Sequence, residues 1–84
     1  MRISNFYGVK NQFLIDDGTS KKLQSYQSLI AEIRGSDIIL YNDWDYSRTT
    51  LKYVTKFLSD YSPYAVSSKK DILSLIKANK ITLN

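Results

Sequence analysis

Three basic residues recur at every fourth position in the second half of the chain: Arg48, Lys52 and Lys56. In a helix this spacing places the three side chains on one stripe of the surface. Such a stripe can bind the phosphates of a nucleic acid or an acidic groove of a protein, and Tyr53 beside it adds an aromatic ring for stacking. The same stripe is also typical of the solvated face of an amphipathic helix. Both interpretations stay open at this stage.

A second basic group comprises Lys69, Lys70, Lys77 and Lys80. Lys69 and Lys70 come directly after Ser68 at the predicted start of a later helix. Positive charge at a helix N-terminus opposes the helix dipole and lowers stability slightly. A partner that uses the charge of these two lysines would explain their position, and so would chance.

Two of the seven tyrosines, Tyr61 and Tyr64, lie on either side of Pro63 in a polar and aromatic connector. Tyrosine is enriched among the residues that contribute most to binding at protein interfaces. In a small domain the same two rings can instead cover the edge of the core. The connector therefore predicts either a docking surface or a core edge.

The acidic residues Asp43 and Asp45 flank Trp44 just before the first predicted helix. Two carboxylates at this spacing can hold a divalent cation through hard oxygen ligands. Helix capping and an ion pair with Arg48 account for them more simply, because the chain has no glycine-rich phosphate loop. We therefore predict no metal site and no cofactor, and we expect Trp44 to be buried between sheet and helix.

The composition narrows the class of protein further, because the 84 residues include no cysteine and no histidine. This excludes a disulfide framework, a Cys/His zinc site, a cysteine nucleophile and imidazole catalysis. We predict a single domain over residues 1–84 that is not an enzyme. No apolar run is long enough for a membrane span or a signal peptide, so we expect a cytoplasmic protein with no membrane partner. The net charge of +4 is compatible with a nucleic-acid or anionic-protein partner but does not require one.

Alternation of apolar residues and turn signals predict three antiparallel strands in the first half of the chain. In the second of them the alternation places Leu29, Ala31 and Ile33 on one face. An Asp-Gly pair favours a tight turn after the first strand. The three strands are expected at 11–15, 29–33 and 38–41. The turn after the first strand is expected at 16–19.

The second half of the chain changes to a helical period, with Ser47 and Ser68 as predicted N-caps. Ser68 and Asp71 fit a capping box, and Asn79 can close the second helix in a left-handed conformation. The tail at 80–84 alternates and predicts a last strand. The predicted fold class is α+β, a small antiparallel sheet of three to four strands with two helices on one face, in the order β-β-β-α-α-β.

The segment W-D-Y-S-R-T-T at 44–50, followed by Tyr53 and Phe57-Leu58, resembles a pattern in small uncharacterised proteins of phages and prophages from low-GC Gram-positive bacteria. The resemblance covers roughly residues 24–58. Because those proteins have no assigned chemistry, it carries no functional residue. It implies a phage or prophage gene product that acts inside a bacterial cell.

From these features we predict a binding protein that docks on a host protein, as an inhibitor of a defence factor such as a CRISPR nuclease or of a replication factor. The alternative is a nucleic-acid-binding accessory protein that uses the basic stripe, and a third hypothesis is a small metal-dependent nuclease built on Asp43 and Asp45. An exposed sheet edge would also allow two copies to pair as a homodimer. The residues expected to contact a partner are Arg48, Lys52, Lys56, Tyr53, Tyr61, Tyr64, Lys69 and Lys70.

Overall fold

The computed structural model describes all 84 residues and shows one mixed sheet of six strands with two helices. In chain order the elements are β1 (Arg2–Asn5), a 3₁₀ turn (Phe6–Gly8), β2 (Gln12–Asp16), β3 (Ser20–Ser25), β4 (Ser28–Arg34), β5 (Asp37–Leu40), α1 (Arg48–Tyr61), α2 (Lys69–Lys77) and β6 (Thr82–Leu83). The strands lie in the sheet in the same order as in the chain.

The predicted α+β class and the two helices are confirmed, but the sheet is larger than expected. Strands β1 to β5 form an antiparallel meander, whereas β6 pairs with β5 in parallel. A parallel pair needs a long crossover connection, and here both helices together provide it. The sheet therefore has six strands instead of three or four, and it is mixed instead of antiparallel.

Strands β1 and β3 were not predicted, because neither shows a clear apolar alternation. All four residues of β1 are exposed, so the strand buries no side chain that could mark it in the sequence. In β3 the single apolar residue, Leu23, lies among serine, lysine and glutamine. Strand pairing on both sides maintains β3 in spite of its polar sequence.

A β-bulge in β4 changes the predicted face of one residue. Leu23 pairs with Ala31 and Gln24 pairs with Leu29, so Ile30 is an extra residue between the two pairs. A bulge of this kind interrupts the alternation of side chains between the two faces. Ile30 and Ala31 consequently both belong to the buried core, and Leu29 does not. The expectation that Leu29 shares a face with Ala31 and Ile33 was wrong.

The core lies between one face of the sheet and the two helices. Leu14, Leu23, Ala31 and Leu40 are aligned across four strands and point toward the helices, where α1 contributes Phe57 at the centre. The residues that alternate with them lie on the opposite side, which no helix covers. We call this side the open face; it carries Phe13, Ile15, Lys22, Leu29, Glu32 and Ile39.

Both helix starts were predicted at the correct residue, although only one cap has the expected hydrogen bond. The Ser47 Oγ accepts a hydrogen bond from the Thr50 N–H at 3.1 Å. Ser68 is the N-cap of α2, but its side chain makes no capping bond. The Asp71 carboxylate instead accepts from the backbone N–H and the hydroxyl of Ser67, both at 2.9 Å. The predicted capping box is therefore shifted by one residue.

At the other end of α2, Asn79 has a φ of 61°, which confirms the predicted left-handed termination. The bonds from the Asn79 N–H to the Ile76 carbonyl and from the Lys80 N–H to the Leu75 carbonyl satisfy the last turn. Neither helix has the length and apolar character needed to cross a membrane.

Replacing Ser47 with alanine is expected to lower the free energy of unfolding by about 1 kcal/mol, because the Thr50 N–H loses its acceptor at the start of α1. Urea denaturation followed by Trp44 fluorescence measures this change. Ser59→Ala, at an exposed position of the same helix, is the control, for which we expect a change within about 0.5 kcal/mol. Equal effects of the two substitutions would show that the cap contributes nothing.

Candidate nucleic-acid interface

A groove in which four of the eight lining residues are basic separates α1 from the start of α2. Its volume is about 490 Å³. Because Tyr53, Val54, Phe57 and Leu58 turn the apolar side of α1 toward the sheet, the stripe four residues apart faces outward. We call this feature the basic groove; its lining residues are Arg48, Leu51, Lys52, Thr55, Lys56, Ser67, Ser68 and Lys69.

Most of the positive charge in the basic groove is not neutralised. The four ion pairs of the structure do not include Arg48, Lys52 or Lys56. Lys69 is paired with the Asp45 carboxylate at 3.2 Å, and both side chains are partly exposed. The first turn of α1 contains no acidic residue. Three of the four cations are thus available to an external anion.

The positive charge of the whole chain is concentrated in the half that contains the two helices and the basic groove. Residues 1–44, which form the five-stranded meander and its loops, contain five basic and five acidic residues. Residues 45–84, which contain both helices, have seven basic and three acidic residues. The entire net charge of +4 therefore lies in the helical half.

Two aromatic rings lie beneath the lysines of this stripe. The Lys56 Nζ is 4.6 Å from the centroid of the Tyr7 ring and 5.7 Å from that of Tyr53. Tyr53 is 8% exposed and belongs to the core, so its ring is not free for the stacking that the sequence suggested. Tyr7 was not predicted; it is exposed, and its hydroxyl donates to the Asp60 carboxylate at 2.6 Å. This bond raises the pKa of Tyr7.

The structure places Tyr61 and Tyr64 at the edge of the core. The Tyr61 ring packs against Phe57 with 5.6 Å between centroids, and the Lys21 ammonium lies 5.7 Å from it. Tyr64 is partly buried against the core. Lys70, next to Lys69, is exposed and has no ion pair. Of the predicted contact residues, the basic groove therefore brings together Arg48, Lys52, Lys56 and Lys69.

The two aspartates that flank Trp44 lie in different surroundings. Asp45 pairs with Lys69 and not with Arg48, which corrects the expected ion pair. Asp43 lines a separate cleft on another side of α1. No group of three or more potential ligands that could hold a metal ion is present. Trp44 is buried in the core, as predicted.

Residues 1–74 match the model of a family of unknown function (DUF8033). The chain belongs to this family. The prediction of a family without an assigned function is thus confirmed, whereas the motif that carried the resemblance and the phage origin stay predictions. No curated protein and no solved structure matches the chain.

Proposed function

We propose that this DUF8033 member is a non-catalytic module that binds the phosphate backbone of a nucleic acid in the basic groove. The observation that carries the proposal is that Arg48, Lys52 and Lys56 line one groove without a carboxylate partner. The uneven charge supports it, because the helical half holds the whole net charge. We rank this mode above docking on a host protein, since Tyr61 and Tyr64 pack at the edge of the core.

The geometry of the stripe suits contacts with a nucleic-acid backbone and not recognition of a base sequence. Arg48 and Lys56 are eight residues apart, about 12 Å along the helix axis. This length corresponds to between about three and four nucleotide steps of one strand at 3.4 Å per step. Arginine can bind one phosphate through two parallel hydrogen bonds, whereas the lysines act as point charges. Contacts of this type position a protein on nucleic acid without reading its sequence.

Fluorescence anisotropy with labelled duplex and single-stranded oligonucleotides tests the proposal. If the groove binds phosphates through its four cations, the logarithm of the affinity should fall with the logarithm of the salt concentration, with a slope of about −3 to −4. Several unrelated sequences should bind with similar affinity. Absence of binding at low salt, or binding that does not depend on salt, would contradict the proposal.

Docking on a host protein is the second candidate, and the open face favours it. Phe13, Ile15, Leu29 and Ile39 are only partly buried there, and none of them packs into the core. Ile3, which pairs with Ile15, adds an exposed apolar side chain at the edge. Lys22 and Glu32 lie between Ile15 and Ile39 in the sheet, so these side chains form two apolar patches and not one surface. Exposed apolar patches rimmed by polar residues are typical of protein contacts. In a phage protein this mode would fit an inhibitor of a defence nuclease or a replication factor.

The two candidate functions predict different effects for the same substitution. Ile3→Asp should abolish capture of a host protein if the open face is the docking surface, and it should leave nucleic-acid affinity unchanged. Leu73→Asp, which changes an exposed apolar residue of α2 in the same way, is the matched control. Edge pairing of β1 into a homodimer also stays a prediction, and light scattering that gives the monomer mass of 9.7 kDa would exclude it.

A further inference from the structure

A second concavity, which we call the polar cleft, lies at the start of α1. The start of β2, the end of β3 and the start of β4 also contribute to it. Its volume is about 540 Å³, within the range of small-molecule sites. It is distinct from the basic groove, because the two share no lining residue. Five hydroxyl side chains, an amide, a carboxylate and two tyrosine rings line it together with Ile30.

The most buried polar side chain of the cleft, Gln12, is incompletely bonded. Gln12 is 2% exposed; its Nε2 donates to the Ser25 Oγ at 3.0 Å, while its Oε1 has no partner. Buried amide oxygens are normally hydrogen-bonded. If the amide were turned over, the Ser25 hydroxyl would donate to Oε1 and the NH₂ group would lack an acceptor. In either orientation one end of the amide remains for a ligand.

The opposite wall is the start of α1, formed by Ser47, Thr49 and Thr50. The Thr50 N–H is bonded to Ser47, but the N–H groups of Arg48 and Thr49 have no acceptor in the protein. No acidic residue stands in this first turn, and Asp45 is paired with Lys69. The one carboxylate that lines the cleft, Asp43, lies before the helix and outside its first turn. Free amides at the positive end of a helix dipole favour an anion.

Two exposed tyrosines, Tyr26 and Tyr46, form the rim of the cleft. Tyr26 has a φ of 55°, and two hydrogen bonds hold it there: its N–H donates to the Asn11 carbonyl at 2.7 Å, and its carbonyl accepts from the Gln24 Nε2 at 2.8 Å. The backbone that carries its ring is thus held in place before any ligand arrives. Exposed aromatic rings of this kind stack on planar heterocycles.

We infer that the polar cleft binds one nucleotide, with the base edge at Gln12, the ring against Tyr26 or Tyr46 and the phosphate at the first turn of α1. A nucleotide combines the three features that the cleft complements: a hydrogen-bonding edge, a planar ring and an anion. A neutral sugar would leave the helix terminus unused, and inorganic phosphate would leave Gln12 unpaired. The side chains that carry the inference are not those of the basic groove, with which the cleft shares only the backbone N–H of Arg48, and the inference stands if that groove binds nothing.

An NMR titration of the ¹⁵N-labelled protein tests this inference with AMP, GMP, CMP and UMP, and separately with inorganic phosphate and ribose. We expect at least one nucleotide to shift both the Gln12 side-chain amide and the backbone amides of Arg48 and Thr49. Phosphate alone should shift only the two backbone amides. Its affinity should be at least about tenfold lower than that of the nucleotide, because it contributes no stacking. A short single strand that binds with the same shifts would identify a strand, and not a free nucleotide, as the natural source.

Two single variants separate binding from folding, and one double variant separates the polar cleft from the basic groove. Gln12→Leu should weaken nucleotide binding about tenfold or more with little change in the melting temperature, because removal of the unpaired buried oxygen offsets the loss of the hydrogen bond to the Ser25 Oγ. Tyr26→Asn suits the left-handed backbone and should weaken binding by about tenfold through lost stacking. Lys52→Gln/Lys56→Gln should leave mononucleotide affinity unchanged while it weakens binding of longer nucleic acids.

Three results would overturn the inference. One is the absence of shifts with every nucleotide at millimolar concentration. Another is an equal response to inorganic phosphate, which would mean an adventitious anion only. The third is unchanged nucleotide affinity in both Gln12→Leu and Tyr26→Asn, which would mean that a buried water satisfies Gln12.

Discussion

Replacing Arg48, Lys52 and Lys56 together with glutamine is expected to lower nucleic-acid affinity about a hundredfold or more at physiological salt. Each cation that neutralises a phosphate releases one condensed counterion. The triple variant should therefore also reduce the slope of the salt dependence by about three. Anisotropy titrations of both proteins over a series of salt concentrations measure both quantities.

The control for this prediction must remove the same charge elsewhere. Lys10, Lys77 and Lys80 are exposed, belong to no ion pair and lie outside the basic groove. Their triple glutamine variant should retain most of the affinity. Thermal unfolding should be similar in both variants, because exposed substitutions usually change stability by less than about 0.5 kcal/mol each. Equal loss of affinity in the two variants would point to general charge attraction and refute a defined site.

Replacing Glu32 with alanine is expected to lower the free energy of unfolding by about 2 kcal/mol. Glu32 lies on the open face but is only 2% exposed, because neighbouring side chains cover it. Its carboxylate accepts from the Tyr41 hydroxyl at 2.8 Å and from the Arg34 guanidinium at 2.6 and 3.0 Å. The Arg34 side chain is 62% exposed, so solvent screens its share of the stabilisation. Urea denaturation measures the change.

The same carboxylate makes stability depend on pH. Burial disfavours its charged form, but the hydrogen bonds from Tyr41 and Arg34 outweigh burial and hold the pKa of Glu32 below its ordinary value of 4.5. A carboxylate with a lowered pKa stabilises the fold above that ordinary value, and the stabilisation is lost as the pH falls through the folded-state value. The difference between wild type and Glu32→Gln should thus be complete at neutral pH and shrink below about pH 4.

Arg34→Ala is the matched control for Glu32, because it removes only the screened partner. We expect it to cost less than about 1 kcal/mol. If Glu32→Ala costs no more than Arg34→Ala, or if its effect persists unchanged in acid, the buried carboxylate does not have the structural role that its bonds indicate.

Local sequence signals predicted those parts of the molecule that local chemistry determines. The helical stripe of Arg48, Lys52 and Lys56 followed from spacing alone, and the helix starts followed from Ser47 and Ser68. The left-handed Asn79 followed from its position after the last apolar residue. Each of these features depends on residues within one or two helical turns.

The features that were missed depend on residues far apart in the chain. Lys69 enters the basic groove only because the connector after α1 returns α2 to its side, which no spacing indicates. Gln12 looks like an ordinary polar strand residue, and its burial arises from β3 and the start of α1 together. The bulge at Ile30 required the pairing of β4 with β3. A single sequence contains no direct record of such contacts.

The shallow attachment of α2 has a consequence for the dynamics of the molecule. Only Ile72 of this helix is fully buried, and both residues of β6 are exposed. Segments with few buried apolar contacts open locally at a lower free energy than the core. The wall of the basic groove that carries Lys69 is therefore formed by a segment that opens more readily than the core. A polyanion bound across both walls should slow native-state hydrogen exchange throughout α2, and this protection should increase with ligand concentration as mass action requires.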